Sequence, residues 1–318
     1  MKSIRKFLSL LLILSLTAAA LLSFSSCLER EQTDGAVVRV GVMAGPTGMG
    51  LAKLMNDESK KDRYEFTVYS DPSIGVADLS AANIDLLCLP TNTAANLYAK
   101  SGAEVLAINC LGSLYLVTDG TETISSLADL EGKTVYTSVP ASTTGPILNY
   151  LLGLAGVHAT IETVADHDTL VGRVASGAAH IAVLPEPKVT ALTLQKDTVQ
   201  VALNLSTEWS KLSESPLTMG CIVAREAFLK EHRESANAFL DDCKASIEYI
   251  GARENLDGAA EMIVSAGVLP KLPIAKKALN NLYGSIVYLD GNEMKSALEG
   301  FYDAIGQARP ANGFYYGK

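Results

Sequence analysis

Cysteine, tryptophan and histidine are scarce in this chain of 318 residues: five, one and four. No two cysteines stand at C-x-x-C spacing. The histidines, His158, His167, His180 and His232, form no H-x-H or H-x-x-x-H pair. A zinc site needs such converging ligands, so no metal is expected. Basic residues are outnumbered, 26 against 35 acidic, for a net charge of −9, and beyond the first six residues they do not cluster. A nucleic-acid partner wants a basic face, and none is expected here. A Walker Gly-Lys-Ser/Thr, a G-x-G-x-x-G and a G-x-S-x-G elbow are all missing. No Ser/His/Asp constellation can be placed either, so neither an enzyme nor a cofactor is expected.

The chain has a single long apolar run, and it sits at the start. Lys2, Arg5 and Lys6 precede the mostly Leu/Ile/Ala stretch from Phe7 to Leu22, then Ser-Phe-Ser-Ser-Cys ending at Cys27. Residues 1–26 read as a signal peptide, the run being short for a membrane span. The segment resembles a bacterial lipobox, with Phe24 where Leu is usual. That implies lipidation at Cys27 and an extracytoplasmic, membrane-anchored protein. Removing residues 1–26 leaves 23 basic against 35 acidic residues, a net −12. Residues 27–36 are polar and aperiodic, a tether. Of the remaining cysteines, Cys88, Cys110 and Cys221 lie inside apolar runs (LLCLP, INCLG, MGCIV). With Cys243 they read as buried thiols or as disulfide partners, and spacing does not decide.

Past the tether, short β-like runs alternate with helical ones. Val37–Met43, Tyr64–Tyr69, Asp85–Leu89, Val105–Leu111 and Leu114–Thr118 read as strands, with helices at Gly48–Met55, Ser73–Ala82 and Thr91–Lys100. The order restarts at Ser125 and runs through strands Thr134–Ser138, Thr160–Thr163, His180–Leu184 and Val199–Leu203. Met219–Val223 is a further strand, and from Glu226 onward the pattern is helical. This predicts an α/β protein of two lobes, with mostly parallel sheets flanked by helices. Lobe one is 37–120 plus 209–318 and lobe two, 121–208, is inserted. Crossings near Thr118–Thr123 and Leu205–Pro216 make a hinged clamshell.

Ligands in open α/β sheets bind beyond the carboxyl ends of strands. Four strand ends here carry small or hydroxylated loops that lead into helices. The first is Gly45–Gly50 (GPTGMG), where Gly45 lets the backbone approach a ligand and Thr47, Gly48 and Met49 offer hydrogen bonds; a plain turn with a cap is the other reading. The second is Pro90–Thr93, with Thr91 and Asn92. The third presents Ser142, Thr143 and Thr144. The fourth is Pro185–Pro187, whose Glu186 is either an acceptor for a ligand amine or a solvated turn residue. Trp209, between the lobes, either stacks on a ligand or packs the hinge. None of the four loops holds Arg or Lys. That favours a small neutral or zwitterionic molecule, or a monoanion held by backbone N–H groups.

The succession VRVGVMAGPTGMGLAKLM, DLLCLPTNTAANLY, SLADLEGKTVYTSVPAST and AAHIAVLPEP resembles the solute-binding proteins of ABC importers. Within them it is most similar to the nitrate, sulfonate, taurine and thiamine-pyrimidine-precursor group, over Val37–Gln307. The resemblance implies a type II periplasmic-binding-protein clamshell, a monomer that closes on a small-molecule solute and delivers it to an ABC permease and its ATPase. A sensor or scaffold lipoprotein with the same clamshell is the alternative. An enzyme like the thiamine-pyrimidine synthases is disfavoured, because their cysteine cluster is missing.

Overall fold

The computed structural model describes residues 34–138 and 142–317; the signal segment, Cys27 and the tether up to residue 33 lie outside the described residues. The chain begins with β1 (Val38–Met43), two short helical pieces α1 (Pro46–Met49) and α2 (Ala52–Met55), β2 (Tyr64–Tyr69), α3 (Pro72–Ser80), β3 (Leu86–Pro90), α4 (Thr91–Ser101) and β4 (Glu104–Leu111). There follow β5 (Leu114–Thr118), β6 (Thr134–Ser138), α5 (Thr144–Ala155), β7 (Thr160–Val164), α6 (His167–Ser176), β8 (Ile181–Pro185), α7 (Lys188–Gln195), β9 (Gln200–Asn204) and α8 (Leu205–Leu212). The last part is β10 (Thr218–Ala224), α9 (Glu226–Glu231), α10 (Arg233–Gly251), α11 (Leu256–Ser265), α12 (Leu272–Asn281), β11 (Ile286–Leu289) and α13 (Gly291–Ala304).

The strands make two sheets, ordered β11-β4-β10-β3-β1-β2 and β7-β6-β8-β5-β9. Both are mixed. β1, β2 and β3 pair parallel, as do β6, β7 and β8, while β10, β11 and β5 run antiparallel to their neighbours. Largely parallel pairing was expected; a strand that joins the lobes enters its new sheet from the loop-bearing end and must run the other way. β11 is also a departure, a strand in a tail read as almost all helix. The helix expected over Gly48–Met55 is instead two four-residue pieces.

Burial follows position in the sheet. β3 (LLCLP) is covered on both faces, so its apolar run is continuous. β2 lies at the edge and alternates. Asp85, 2 % exposed, pins the far end of the first sheet: it receives Arg39 Nε at 2.9 Å and Nη2 at 2.7 Å, and pairs with Arg225. Burial alone would raise the Asp85 pKa, yet the two guanidinium groups outweigh it and hold the carboxyl below its usual range. One apolar cluster continues from Leu87, Val223 and Phe301 of lobe one through Trp209 to Leu116, Ile147 and Val183 of lobe two.

The first crossing is a correction. β5 lies in the second sheet, so the chain passes between lobes at Gly112–Ser113, ahead of the boundary expected at 120. The loss of helical and strand pattern at 118–123 marks only the far end of β5. On the return, α8 packs on β5, β9 and α5, so lobe one resumes after residue 212 rather than at 209. Gly112 and Ser113 both have positive φ, 63° and 80°. Gly112 N–H donates to Leu217 O at 2.8 Å, tying the two crossings together. A Cβ on Gly112 would run into Ser206 Oγ. Gly112→Ala is therefore expected to lower the unfolding free energy by about 3 kcal/mol, through left-handed backbone and collision together. Urea titration should show this as a lower midpoint at unchanged m-value.

Candidate functional site

Sheet direction places the loops. β1 and β3 are parallel neighbours (Val40 opposite Leu86), so their carboxyl ends lie side by side. β6 and β8 are likewise parallel (Tyr136 opposite Ala182). β5 pairs antiparallel with β8, Leu114 opposite Pro185, so the crossing enters lobe two at its loop-bearing end. The first and second loops thus neighbour each other in lobe one, the third and fourth in lobe two, and the crossing joins those two ends. The lobes meet there: a Cβ built on Gly45 would stand 3.7 Å from Pro187 Cδ.

In the first loop Gly45 has φ 109°, a backbone few other residues adopt. Gly48 and Met49 N–H both donate to Gly45 O, at 3.0 and 3.1 Å, which folds the loop onto itself and buries both residues. The Thr47 carbonyl accepts from Asn109 Nδ2 at 2.7 Å. In the second loop the Thr91 hydroxyl donates to Thr218 O at 3.0 Å and is buried, so it fastens α4 to β10. Asn92, 8 % exposed, accepts on its carbonyl from Gln307 Nε2 at 3.2 Å.

In lobe two Ser142 Oγ donates to Ser138 O at 2.9 Å and lies 2.9 Å from Thr144 Oγ1. Thr143 is the residue before α5, buried, with no side-chain cap on the helix. The loop's residues 139–141 lie outside the described residues. Ser138 Oγ sits 2.5 Å from His167 Nδ1. Burial, assisted by nearby Lys188, lowers the His167 pKa, so the imidazole is neutral at neutral pH. His167 opens α6, and the cap is its neighbour Asp166, which accepts from Thr169 N.

The fourth loop differs from the other three. Glu186 is 1 % exposed, and its carboxylate accepts from Thr190 N at 3.2 Å and Thr190 Oγ1 at 3.0 Å. It fills the start of α7, where an anion would otherwise sit. It also accepts from Asn281 Nδ2 of lobe one at 2.7 Å, and its own N–H donates to Ser113 O at 2.9 Å. It is neither solvated nor open. Burial raises its pKa, outweighing the Asn281 and Thr190 hydrogen bonds that favour the charged form. Two further bonds cross between lobes: Tyr115 OH to Asn281 O and Lys277 Nζ to Thr193 Oγ1, both 2.8 Å.

Trp209 is 1 % exposed, its Nε1 donates to Ser215 O at 2.6 Å, and its ring lies between Tyr150 (4.9 Å) and Phe301 (6.0 Å). Both its face and its donor are engaged in packing the return crossing. The groups that bridge the lobes, Asn281, Lys277, Thr190 and Tyr115, escaped the sequence reading. Asn109 had a signal, an amide inside the apolar run AINC. The four cysteines Cys88, Cys110, Cys221 and Cys243 are free and buried, with burial raising each thiol, Cys88 and Cys110 to about 12. Among the described residues no three His, Cys, Asp or Glu gather as a metal site, and no helix is long and apolar enough to cross a membrane.

Residues 50–241 match a family model described as ABC transporter, phosphonate, periplasmic substrate-binding protein. Among solved structures, an ABC transporter from Parabacteroides distasonis is similar at 22% identity, covering 89% of this chain and 99% of that one, with a TM-score of 0.72. The periplasmic aliphatic sulphonate binding protein SsuA from Escherichia coli follows at 14% identity, 88% and 92% coverage and a TM-score of 0.69. The periplasmic nitrate-binding protein NrtA from Synechocystis is similar at 14% identity, 86% and 81% coverage and a TM-score of 0.63. At these identities the neighbours establish the two-lobed fold. The curated proteins give no match.

Two outcomes follow from the bridge. Asn281→Ala removes the lobe-one donor to Glu186 and Thr190, so the solute-free protein should expand, its small-angle scattering radius of gyration growing by roughly 1 Å as the hinge opens. The Glu186 burial cost is absent below the ordinary carboxylate range, near pH 4.3, where both folded and unfolded chains hold the proton; it grows as pH rises through the raised folded value. The thermal midpoint of Glu186→Gln should thus gain on the parent's as pH rises from 4 to 7.

Proposed function

We infer the role of this chain from its family, for it belongs to the periplasmic substrate-binding proteins of ABC transporters described for phosphonate. It is the substrate-binding component of an ABC import system. Beyond that, we read the seam between the lobes as the solute site. The observation that carries this reading is the meeting of the loop-bearing ends, Gly45 against Pro187 and Asn281 on Glu186. Thr47 and Asn92 would face the solute from lobe one, and Ser142, Thr143 and Thr144 from lobe two; Gly48 and Met49, buried with their N–H groups on Gly45 O, shape the loop behind Thr47 instead of offering it hydrogen bonds. Thr91, Glu186 and Trp209 serve the frame around it.

Closure needs contacts that exist only when both lobes touch the solute, since a ligand shifts an equilibrium by its differential affinity alone. Gly112–Ser113 and the segment after α8 absorb the rotation. The groups offered are neutral, which suits a small organic solute that is neutral, zwitterionic or singly charged. The family and its neighbours are transport proteins. We read this chain as a monomer without turnover or cofactor, held at the membrane by lipid on Cys27, that hands its solute to a permease.

A thermal-shift panel tests the reading: methylphosphonate, ethanesulfonate, nitrate, taurine, glycine and a hydroxymethylpyrimidine. At a hundredfold excess over Kd a true solute adds about 2.7 kcal/mol, hence a rise of about 5 °C or more in the thermal midpoint. A flat response to every compound would count against small-solute capture. Cys27→Ser should move the protein from the membrane to the soluble fraction.

A further inference from the structure

Thr47 is held from beneath by two residues of the first sheet. Asn109, on β4, is 1 % exposed and donates from Nδ2 to the Thr47 carbonyl at 2.7 Å. A carbonyl accepts only a donor, so the orientation of the amide is settled. Its Oδ1 is buried and has no hydrogen-bond partner among the described residues. On the adjacent β10, Gly220 leaves open the space that the Thr47 methyl fills: a Cβ there would collide with Thr47 Cγ2 and stand 2.8 Å from Asn109 Oδ1. With its methyl turned to the sheet and its carbonyl engaged, Thr47 keeps a hydroxyl that makes no hydrogen bond among the described residues.

Packing does not account for this arrangement. Asn109 stands between Ile108 and Cys110 in a buried strand, where an aliphatic side chain would leave no unsatisfied oxygen. A buried amide with one orphan acceptor carries an uncompensated desolvation cost. What the amide provides in return is a fixed Thr47 carbonyl. We propose that Asn109 and Gly220 are positioning residues for solute binding, holding Thr47 with its hydroxyl toward the seam. This rests on reading the seam as the solute site. Gly45, two residues before Thr47, lies against the opposite lobe, so a loop that drifts loses both its hydroxyl placement and its fit to Pro187.

Amide hydrogen exchange on the full chain without solute tests the positioning directly. In the parent, Gly48 and Met49 N–H are bonded to Gly45 O. Asn109→Ala and Gly220→Ala should each speed exchange at these two amides by about tenfold or more, while Leu87 and Ile222, in the middle of the sheet, keep their parent rates. Thr47→Ser in the Gly220→Ala background removes the colliding methyl, and should bring the loop back to within about threefold of the parent. Ile263→Val, a buried change on α11, gives the purely structural comparison: a lower thermal midpoint with unaltered loop exchange. The proposal is overturned if both single variants leave the loop exchanging as Ile263→Val does, or if the double variant exchanges as fast as Gly220→Ala. Should Gly220→Ala fail to fold, Asn109→Ala against Ile263→Val decides alone. The readout contains no solute, so its failure is separate from a flat thermal-shift panel.

Discussion

The two lobes share one narrow passage, and its geometry governs the rest. At Gly112 and Ser113 the backbone takes two consecutive left-handed residues, with Gly112 bonded to the returning segment at Leu217 and the Ser113 carbonyl taken by the N–H of Glu186. β4 ends there and β5 begins there. Both sheets must therefore turn their loop-bearing ends toward the same place. Had the connection left from the opposite end of β4, the loops would face outward and no seam would exist. The aromatic packing around Trp209 gives the passage a stiff back, because a ring from each lobe rests on one indole.

The helix starts that ring the seam are unequal. The start of α7 is filled by the chain's own Glu186 and that of α6 is capped by Asp166, so neither is left open for an anion. The starts of α4 and α5 carry no side-chain cap. Lys188 and Lys277, on the two helices that face each other across the lobes, already have partners, Asp168 at 2.5 Å and Thr193. The groups we read as facing the seam are hydroxyls and amides with little net charge. A buried carboxylate touching both lobes is one element of the contact between them, and its burial is tolerated because three donors surround it.

Much of this was legible in the amino acids. The apolar runs of β1, β3, β6 and β8 and the small-residue loops after them mark the strand ends that meet. The restart of the α/β order near Ser125 marks an inserted lobe. The crossing was misplaced because β4 and β5 read as one continuous apolar stretch broken only by Gly112 and Ser113, and a two-residue break also suits a hairpin. β11 was hidden by its shortness, four residues between helices. Glu186 was visible as an acid between two prolines, but its burial depends on Asn281, 95 residues away. No local pattern announces such a pairing. Asn109 differs, since a lone amide in an apolar strand is a local oddity with a local reading.

Trp209 has one further consequence. It is the only indole in the chain, and it rests between Tyr150 of lobe two and Phe301 of lobe one with its N–H on Ser215. Any swing of one lobe against the other changes the ring stacking and the polarity around that chromophore. The molecule carries its own optical gauge of opening, and intrinsic emission can follow its motion without an attached dye.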